Sequence, residues 1–199
     1  MPEPLAELVA QFGRLPGLGP KSALRLAMAL LQWPEAEVRR LGGSIATLRD
    51  KLCLCSECGA LSSQDPCPIC GDQTRRSDIL CIVPELDSLM ALEAGGFYNG
   101  KYLILGGLLE PLQNQDSRQL EINRLFQRLE AGSVNEIVLA LGSTMEAENT
   151  VSYLKEVLKK RRPGIKISRL AQGIPLGAQI RFMDKETLRQ SMLYRQDLE

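Results

Sequence analysis

Histidine is absent from the 199-residue chain, which removes imidazole from every role it could fill: triad base, general acid–base catalyst and metal ligand. Net charge is absent too, because 24 Lys and Arg balance 24 Asp and Glu. Without a positive excess the chain cannot hold a polyanion by its overall field, so any such binding must use local patches or backbone amides. No apolar run approaches the roughly 18 residues needed to cross a bilayer. The opening Met1-Pro-Glu-Pro-Leu5 lacks the basic run, apolar stretch and small-residue cleavage site of a secretory signal. The expectation is a soluble cytoplasmic protein with no membrane partner. Hydrophobic residues at 44% and charged residues at 24% are ordinary for a folded chain and exclude wholesale disorder or a fibrous architecture.

Apolar spacing orders the rest. Leu5, Leu8, Val9 and Phe12 share a helix face that ends at Gly13, and Ala23, Leu26, Ala27, Leu30 and Leu31 share another in a segment beginning near Lys21. Trp33-Pro34 stops that second helix, and Pro34 suits the first turn of a third, where Val38, Leu41, Ile45 and Leu48 continue the period across a Gly42-Gly43 interruption. Residues 53–72 have no long apolar period and read as a loop-rich module. Strands then alternate with helices: Ile79–Val83, a helix from Leu86 to Ala94, Tyr102–Leu105, a helix through Leu120, Leu125 and Leu129, Ile137–Ala140, a helix from Ala147 to Lys160, and Ile165–Leu170. That alternation predicts an open α/β domain over 78–172, with a mainly parallel sheet and helices on its faces. Gly173-Ile-Pro-Leu-Gly177 breaks the chain before a segment, 173–199, predicted to hold a short strand at Ile180–Met183 and a helix from Lys185. A helical head over 1–52 and the module at 53–72 complete the division.

The strongest local signal is Cys55-x-x-Cys58, eight residues, then Cys67-x-x-Cys70. Paired thiolates at this separation can be folded by a tight loop into the tetrahedron that Zn2+ prefers. Gly59 and Gly71 follow the second cysteine of each pair, where a small residue lets the backbone turn and aim amides at sulfur. Disulfides, redox chemistry and buried free thiols compete, but a reducing cytoplasm disfavours disulfides and two matched pairs disfavour coincidence. Four thiolates leave no open position for water or substrate, so the metal is structural. Cys53 stands outside the set, and Cys81, in the middle of a strand, reads as core.

Leu15-Pro-Gly17-Leu-Gly19-Pro-Lys21-Ser-Ala23 lies between two short helices and matches a helix-hairpin-helix pattern. Gly17 and Gly19 permit a turn without obstructing side chains, so the amides at the start of the second helix can meet a phosphate, aided by the helix dipole. Lys21 and Arg25, four residues apart, add charge on the same face. Such contact reads backbone, not bases, so DNA binding by this motif would be sequence-independent. The alternative is a tight turn with a solvated basic face.

Glu85 follows the Ile79–Val83 strand, and Glu146-x-Glu148 follows Ile137–Ala140. Both stand at the carboxyl edge of the sheet, where open α/β folds bind ligands and where oxygen ligands can hold hydrated Mg2+. Carboxylates ahead of a helix also simply complement its dipole, and this plainer reading leads: no nucleophile accompanies them, and Tyr153 falls inside a helix. The Lys159-Lys-Arg-Arg162 run reads as a solvated helix C-terminus.

Taken together, Arg14-Leu-Pro-Gly-Leu-Gly-Pro-Lys-Ser, the two Cys-x-x-Cys pairs, Leu105-Gly-Gly and Gly173-Ile-Pro-Leu-Gly177 resemble the RecR family across essentially the whole chain. The resemblance implies a helix-hairpin-helix head, a zinc module and a Toprim domain. It implies a non-enzymatic recombination mediator that works with RecO and RecF to load the recombinase onto single-stranded DNA, as a homo-oligomer, either a dimer or a tetrameric ring. By position, Gly17, Gly19, Lys21 and Arg25 would face DNA, and Cys55, Cys58, Cys67 and Cys70 would hold zinc. Glu85, Glu146 and Glu148 would form an acidic surface for RecO and DNA. The enzyme alternative is a Mg2+-dependent Toprim nuclease or topoisomerase-like protein using those three carboxylates. The chain departs from the family pattern at Pro84-Glu85-Leu86, at Glu110-Pro-Leu-Gln113, and at Gln172, where the family has histidine.

Overall fold

The computed structural model describes residues 1–109, 120–132 and 134–195; the string at 110–113 lies outside them. The chain divides into two compact units, Met1–Lys51 and Leu52–Glu199.

In the first unit, α1 (Glu3–Phe12) and α2 (Pro20–Leu30) pack as a hairpin, followed by α3 (Glu35–Ala46) and a 3-10 turn at Arg49–Lys51. Ala23 and Ala27 on α2 are fully buried, and their small side chains let helices approach. Pro34 is the residue before α3 rather than its first turn, and its carbonyl accepts from the Glu37 and Val38 amides at 2.9 and 3.2 Å. Gly42 and Gly43 do not interrupt the helix; their propensity cost, about 1 kcal/mol each, is outweighed by the flanking turns.

The second unit begins with a short antiparallel hairpin, β1 (Cys53–Leu54) against β2 (Leu61–Ser62), and one turn of helix, α4 (Pro68–Gly71). Next come β3 (Arg76–Val83), α5 (Leu86–Gly95), β4 (Gly100–Ile104), α6 (Ile122–Ala131), β5 (Glu136–Leu139), α7 (Met145–Arg161) and β6 (Lys166–Arg169). The four larger strands form one sheet in the order β4-β3-β5-β6, parallel throughout.

Side chains alternate across a strand, and the core divides accordingly. Leu80, Ile82, Leu103, Leu105, Ile137 and Leu139 pack with Leu125 and Leu129 of α6 and Leu154 and Leu158 of α7. Cys81, Val83, Tyr102, Ile104 and Ala140 pack instead with Leu89 of α5 and with Cys55, Cys58, Ala60, Cys67 and Cys70. The cysteine module is thus a layer of the core, covering a sheet face that a parallel sheet must keep from water.

The strand predicted at Ile180–Met183 is not formed. Ile180–Phe182 is a 3-10 turn, with the Phe182 and Met183 amides bonded to the Gln179 and Ile180 carbonyls at 3.0 and 3.1 Å. Alternating apolar residues make a strand only where a ladder partner and a buried face exist; here Ile180 and Phe182 are exposed, and local i→i+3 bonds satisfy the backbone. A final helix, α8 (Lys185–Leu193), is capped by Asp184, which accepts from the Thr187 amide at 2.9 Å.

Candidate functional site

The Cys55, Cys58, Cys67 and Cys70 sulfurs all lie within 4.8 Å of one another, and each side chain is buried. The Cys58 and Cys67 sulfurs are 3.6 Å apart, close to the edge of a tetrahedron built on Zn–S bonds of about 2.3 Å. Backbone geometry creates the cluster. Gly59 adopts φ +77° directly after the first pair, and Asp65 closes the loop by accepting from the Ser56 amide and hydroxyl at 2.8 and 2.9 Å. The amides aimed at sulfur belong to Cys67, bonded to Cys55 Sγ, and Cys70, bonded to Cys67 Sγ, both at 3.4 Å. They are not those of Gly59 and Gly71, whose N–H groups bond the Cys55 and Cys67 carbonyls.

A hydrogen bond with the Cys70 thiol pulls Cys58 down to about 5 against its burial. The same bond, reinforced by burial, raises Cys70, while burial raises Cys67 to about 11. Four thiols this close stabilise one thiolate at the expense of the others, and a cation at their centre is what allows all four to ionise. The donor set fits Zn2+, which when bound supplies cross-linking and no reactive position. Cys53 is exposed, its thiol 3.4 Å from the Ser62 carbonyl. Cys81 is core, its thiol raised to about 12 by burial alone.

The α/β body grips this module by side chains that local patterning does not reveal. Lys101 of β4 donates to the Ile69, Cys70 and Asp72 carbonyls at 2.9, 2.9 and 2.6 Å. Arg124 of α6 donates to the Cys55 carbonyl at 2.6 Å, and Arg128 pairs with Glu57. The Ile104 amide of β4 bonds the Cys58 carbonyl at 2.8 Å.

In the first unit, Gly17 has φ +80°, a conformation that favours glycine. Gly19 is extended, at φ −77° and ψ 167°, and precedes α2 without any side-chain cap. Open space surrounds the Cβ direction at both glycines, so Gly19 matters for approach rather than for backbone strain. Pro20 opens the helix and has no N–H to satisfy, which leaves the first-turn amides that follow it available to an anion. Lys21 and Arg25 are exposed and have no ion-pair or hydrogen-bond partner among the described residues. Residues 1–51 carry seven Lys and Arg against five Asp and Glu, so the electroneutral chain is locally basic here.

Glu85 directly precedes α5, and Glu146 and Glu148 lie in the first turn of α7. Among the described residues they form no cluster able to hold a metal ion. Glu148 is occupied: Arg169 grips it through two bonds of 2.6 and 3.1 Å, and Gln172 donates to it at 3.3 Å. Arg169 holds the Glu148 carboxyl below its ordinary range. Its own backbone amide, then Thr144, lowers Glu146. A cleft of about 700 Å³ opens beside Glu148, lined also by Gly142, Ser143, Arg169, Gln172 and Arg189. The basic run ending α7 is also engaged: Lys160 pairs with Glu156, Arg161 stacks 4.4 Å from the Phe126 ring centroid, and Arg162 donates to the Leu129 carbonyl. Among the described residues, no helix is long and apolar enough to cross a membrane.

A helical hairpin with an uncapped glycine turn, a closed four-cysteine centre and a parallel α/β sheet define a nucleic-acid-associated protein with a structural metal. Three family matches follow the same division: the RecR helix-hairpin-helix at residues 5–48, the RecR zinc finger domain of the four-cysteine type at 52–72, and the Toprim domain at 78–171. Proteins called Recombination protein RecR align along the whole chain. The one from Nitratidesulfovibrio vulgaris is 59% identical and that from Maridesulfovibrio salexigens 50%, each over 100% of this chain and 98% of the relative. A third, from Moorella thermoacetica, is 40% identical over the same shares. The chain belongs to the RecR family, and its role lies in recombinational DNA repair.

Proposed function

We propose that this protein is a non-enzymatic, cytoplasmic recombination mediator that holds DNA by its sugar-phosphate backbone. With RecO-like and RecF-like partners it helps load the recombinase onto single-stranded DNA. The observation that carries the reading is the start of α2, where Gly19 offers no cap and Lys21 and Arg25 have no internal partner among the described residues. An uncapped helix N-terminus flanked by unpaired cations suits a phosphate. Gly17 and Gly19 keep the approach open. At the other end of the chemistry, the guanidinium of Arg169 stands against Glu148, which disfavours Mg2+ catalysis there. Glu85, Glu146 and Glu148, with the adjoining cleft, serve partner contact instead.

Self-association suits the first unit. Its fully buried apolar side chains are Ala23 and Ala27, whereas Leu31, Trp33, Ile45 and Leu48 are exposed. So small a unit needs a neighbouring surface to cover them, and a homo-oligomer, dimer or ring, provides it.

The test is binding to a gapped duplex across a salt series, with a Mg2+ arm scored for cleavage. Lys21→Ala/Arg25→Ala should weaken binding and reduce the slope of log affinity against log salt by about 2, one for each lost phosphate contact, with the DNA uncut. Binding unaltered in the double variant would place the contact elsewhere. Nicking that Glu146→Ala abolishes would restore the enzyme reading.

A further inference from the structure

Lys101 presents an unusual situation. Its side chain lies in the interior, the residue is 6% exposed, and Nζ donates to three carbonyls of the second cysteine knuckle, those of Ile69, Cys70 and Asp72. Among the described residues it has no carboxylate partner within ion-pair distance; the Asp72 carboxylate accepts from Thr74 and faces Arg75, and feels the Lys101 charge only from farther off. An ammonium is withdrawn from water at large cost unless negative charge lies near it. On the first knuckle, Arg124 reaches the Cys55 carbonyl at 2.6 Å, pairs with the half-exposed Glu121 at 3.3 Å, and also lies near enough to the Asp65 carboxylate to help lower it. The two cations therefore touch the two halves of one cysteine cluster, each through the backbone of a ligand residue.

Zinc held by four thiolates carries a net charge of 2−, an anion buried where the dielectric is low. Two cations on its outer shell balance it in number. We propose that Lys101 and Arg124 are the charge-compensating outer shell of the zinc centre, so that metal loading and the docking of the module onto β4 and α6 are one event. With zinc bound, the dianionic centre and the cations attract across the seam. Without zinc the same cations lack a dianionic centre to face, and the seam loses much of the attraction that closes it. Residues outside a metal's first shell commonly shift affinity by about 10- to 100-fold when replaced, and that is the range expected here.

The experiment uses the full chain, as Lys101→Met, Lys101→Arg and Arg124→Gln beside wild type. Zinc affinity is measured by competition with a chelating dye, and melting temperature is measured for zinc-loaded and zinc-stripped samples. Lys101→Met should weaken zinc binding about 10- to 100-fold, Lys101→Arg much less, and Arg124→Gln about 10-fold. The melting temperature of the zinc-loaded form should fall further than that of the stripped form, since a ligand stabilises in proportion to its affinity for the folded state. A lysine that merely packs would lower both melting temperatures equally and leave affinity within twofold, and that outcome overturns the proposal. Should Lys101→Met fail to fold, Arg124→Gln decides by the same two readings, because glutamine keeps an amide donor while removing the charge.

Discussion

Arg75 and Glu93 meet beside the zinc module in a bidentate pair of 2.8 and 2.5 Å, and Arg75 also reaches the Gly100 carbonyl at 3.3 Å. One pair thereby ties the linker after α4 to α5 and to the start of β4. Both side chains are largely withdrawn from solvent, where a charge-assisted bond exceeds a surface ion pair. The Arg75 guanidinium holds the Glu93 carboxyl below its usual range. A depressed carboxylate contributes stability that is complete above its unfolded value, about 4.3, and is lost as pH falls through the folded one. Glu93→Gln should therefore cost about 2 kcal/mol at pH 7, with the difference from wild type closing below about pH 4. Urea unfolding of both proteins at matched zinc and two pH values checks this, since proton competition for the metal is common to both. A gap that does not change with pH would mean that Glu93 acts by shape alone.

At the scale of elements, the cysteine module does the work that a helix does on the opposite face of the sheet. Leu125, Leu129, Leu154 and Leu158 of α6 and α7 cover one side; α5 and the four cysteines cover the other. The module also blunts an edge strand, because the Cys58 carbonyl takes up the Ile104 amide of β4 at 2.8 Å. Stripping zinc at neutral pH should then unmask Cys81, whose thiol is inert in the loaded protein through burial. Peptide mapping after a pulse of thiol reagent should show Cys81 labelled along with the four ligand cysteines. Labelling of those four while Cys81 stays protected would show that the sheet face is closed without the module. The neighbouring α7 owes its start to Thr144, which accepts from the Ala147 amide at 3.3 Å, and this capped turn holds Glu146 and Glu148 at the sheet's carboxyl edge.

For the whole molecule, neutrality conceals a division of labour: residues 1–51 are basic by two charges and the remainder is acidic by two. In the basic unit the larger apolar side chains also lie open, Ile45 at 65% and Leu48 at 56% exposure. Ile45→Glu/Leu48→Glu should shift light-scattering mass to a smaller species while leaving zinc content intact. Full-size assemblies in that variant would move self-association to another surface. Weaker DNA retention should accompany the smaller species, because several hairpins on one assembly bind a strand with higher effective concentration than one alone.

Spacing alone determined the four-cysteine centre, the glycine hairpin and the β/α alternation, because each is a short-range pattern: two knuckles of fixed length, one turn, and apolar periods of two or 3.6. The misread strand at Ile180–Met183 marks the limit of that method, since alternation does not reveal whether a ladder partner is present. Glu85, Glu146 and Glu148 could be placed at the sheet edge from sequence, but whether Glu148 stays open to a metal depended on Arg169, 21 residues beyond it. Lys101 and Arg124 carried no local signal at all. They lie 31 and 69 positions from the cysteines whose carbonyls they bind. Only the folded chain brings such charges together and sets the low dielectric in which they count.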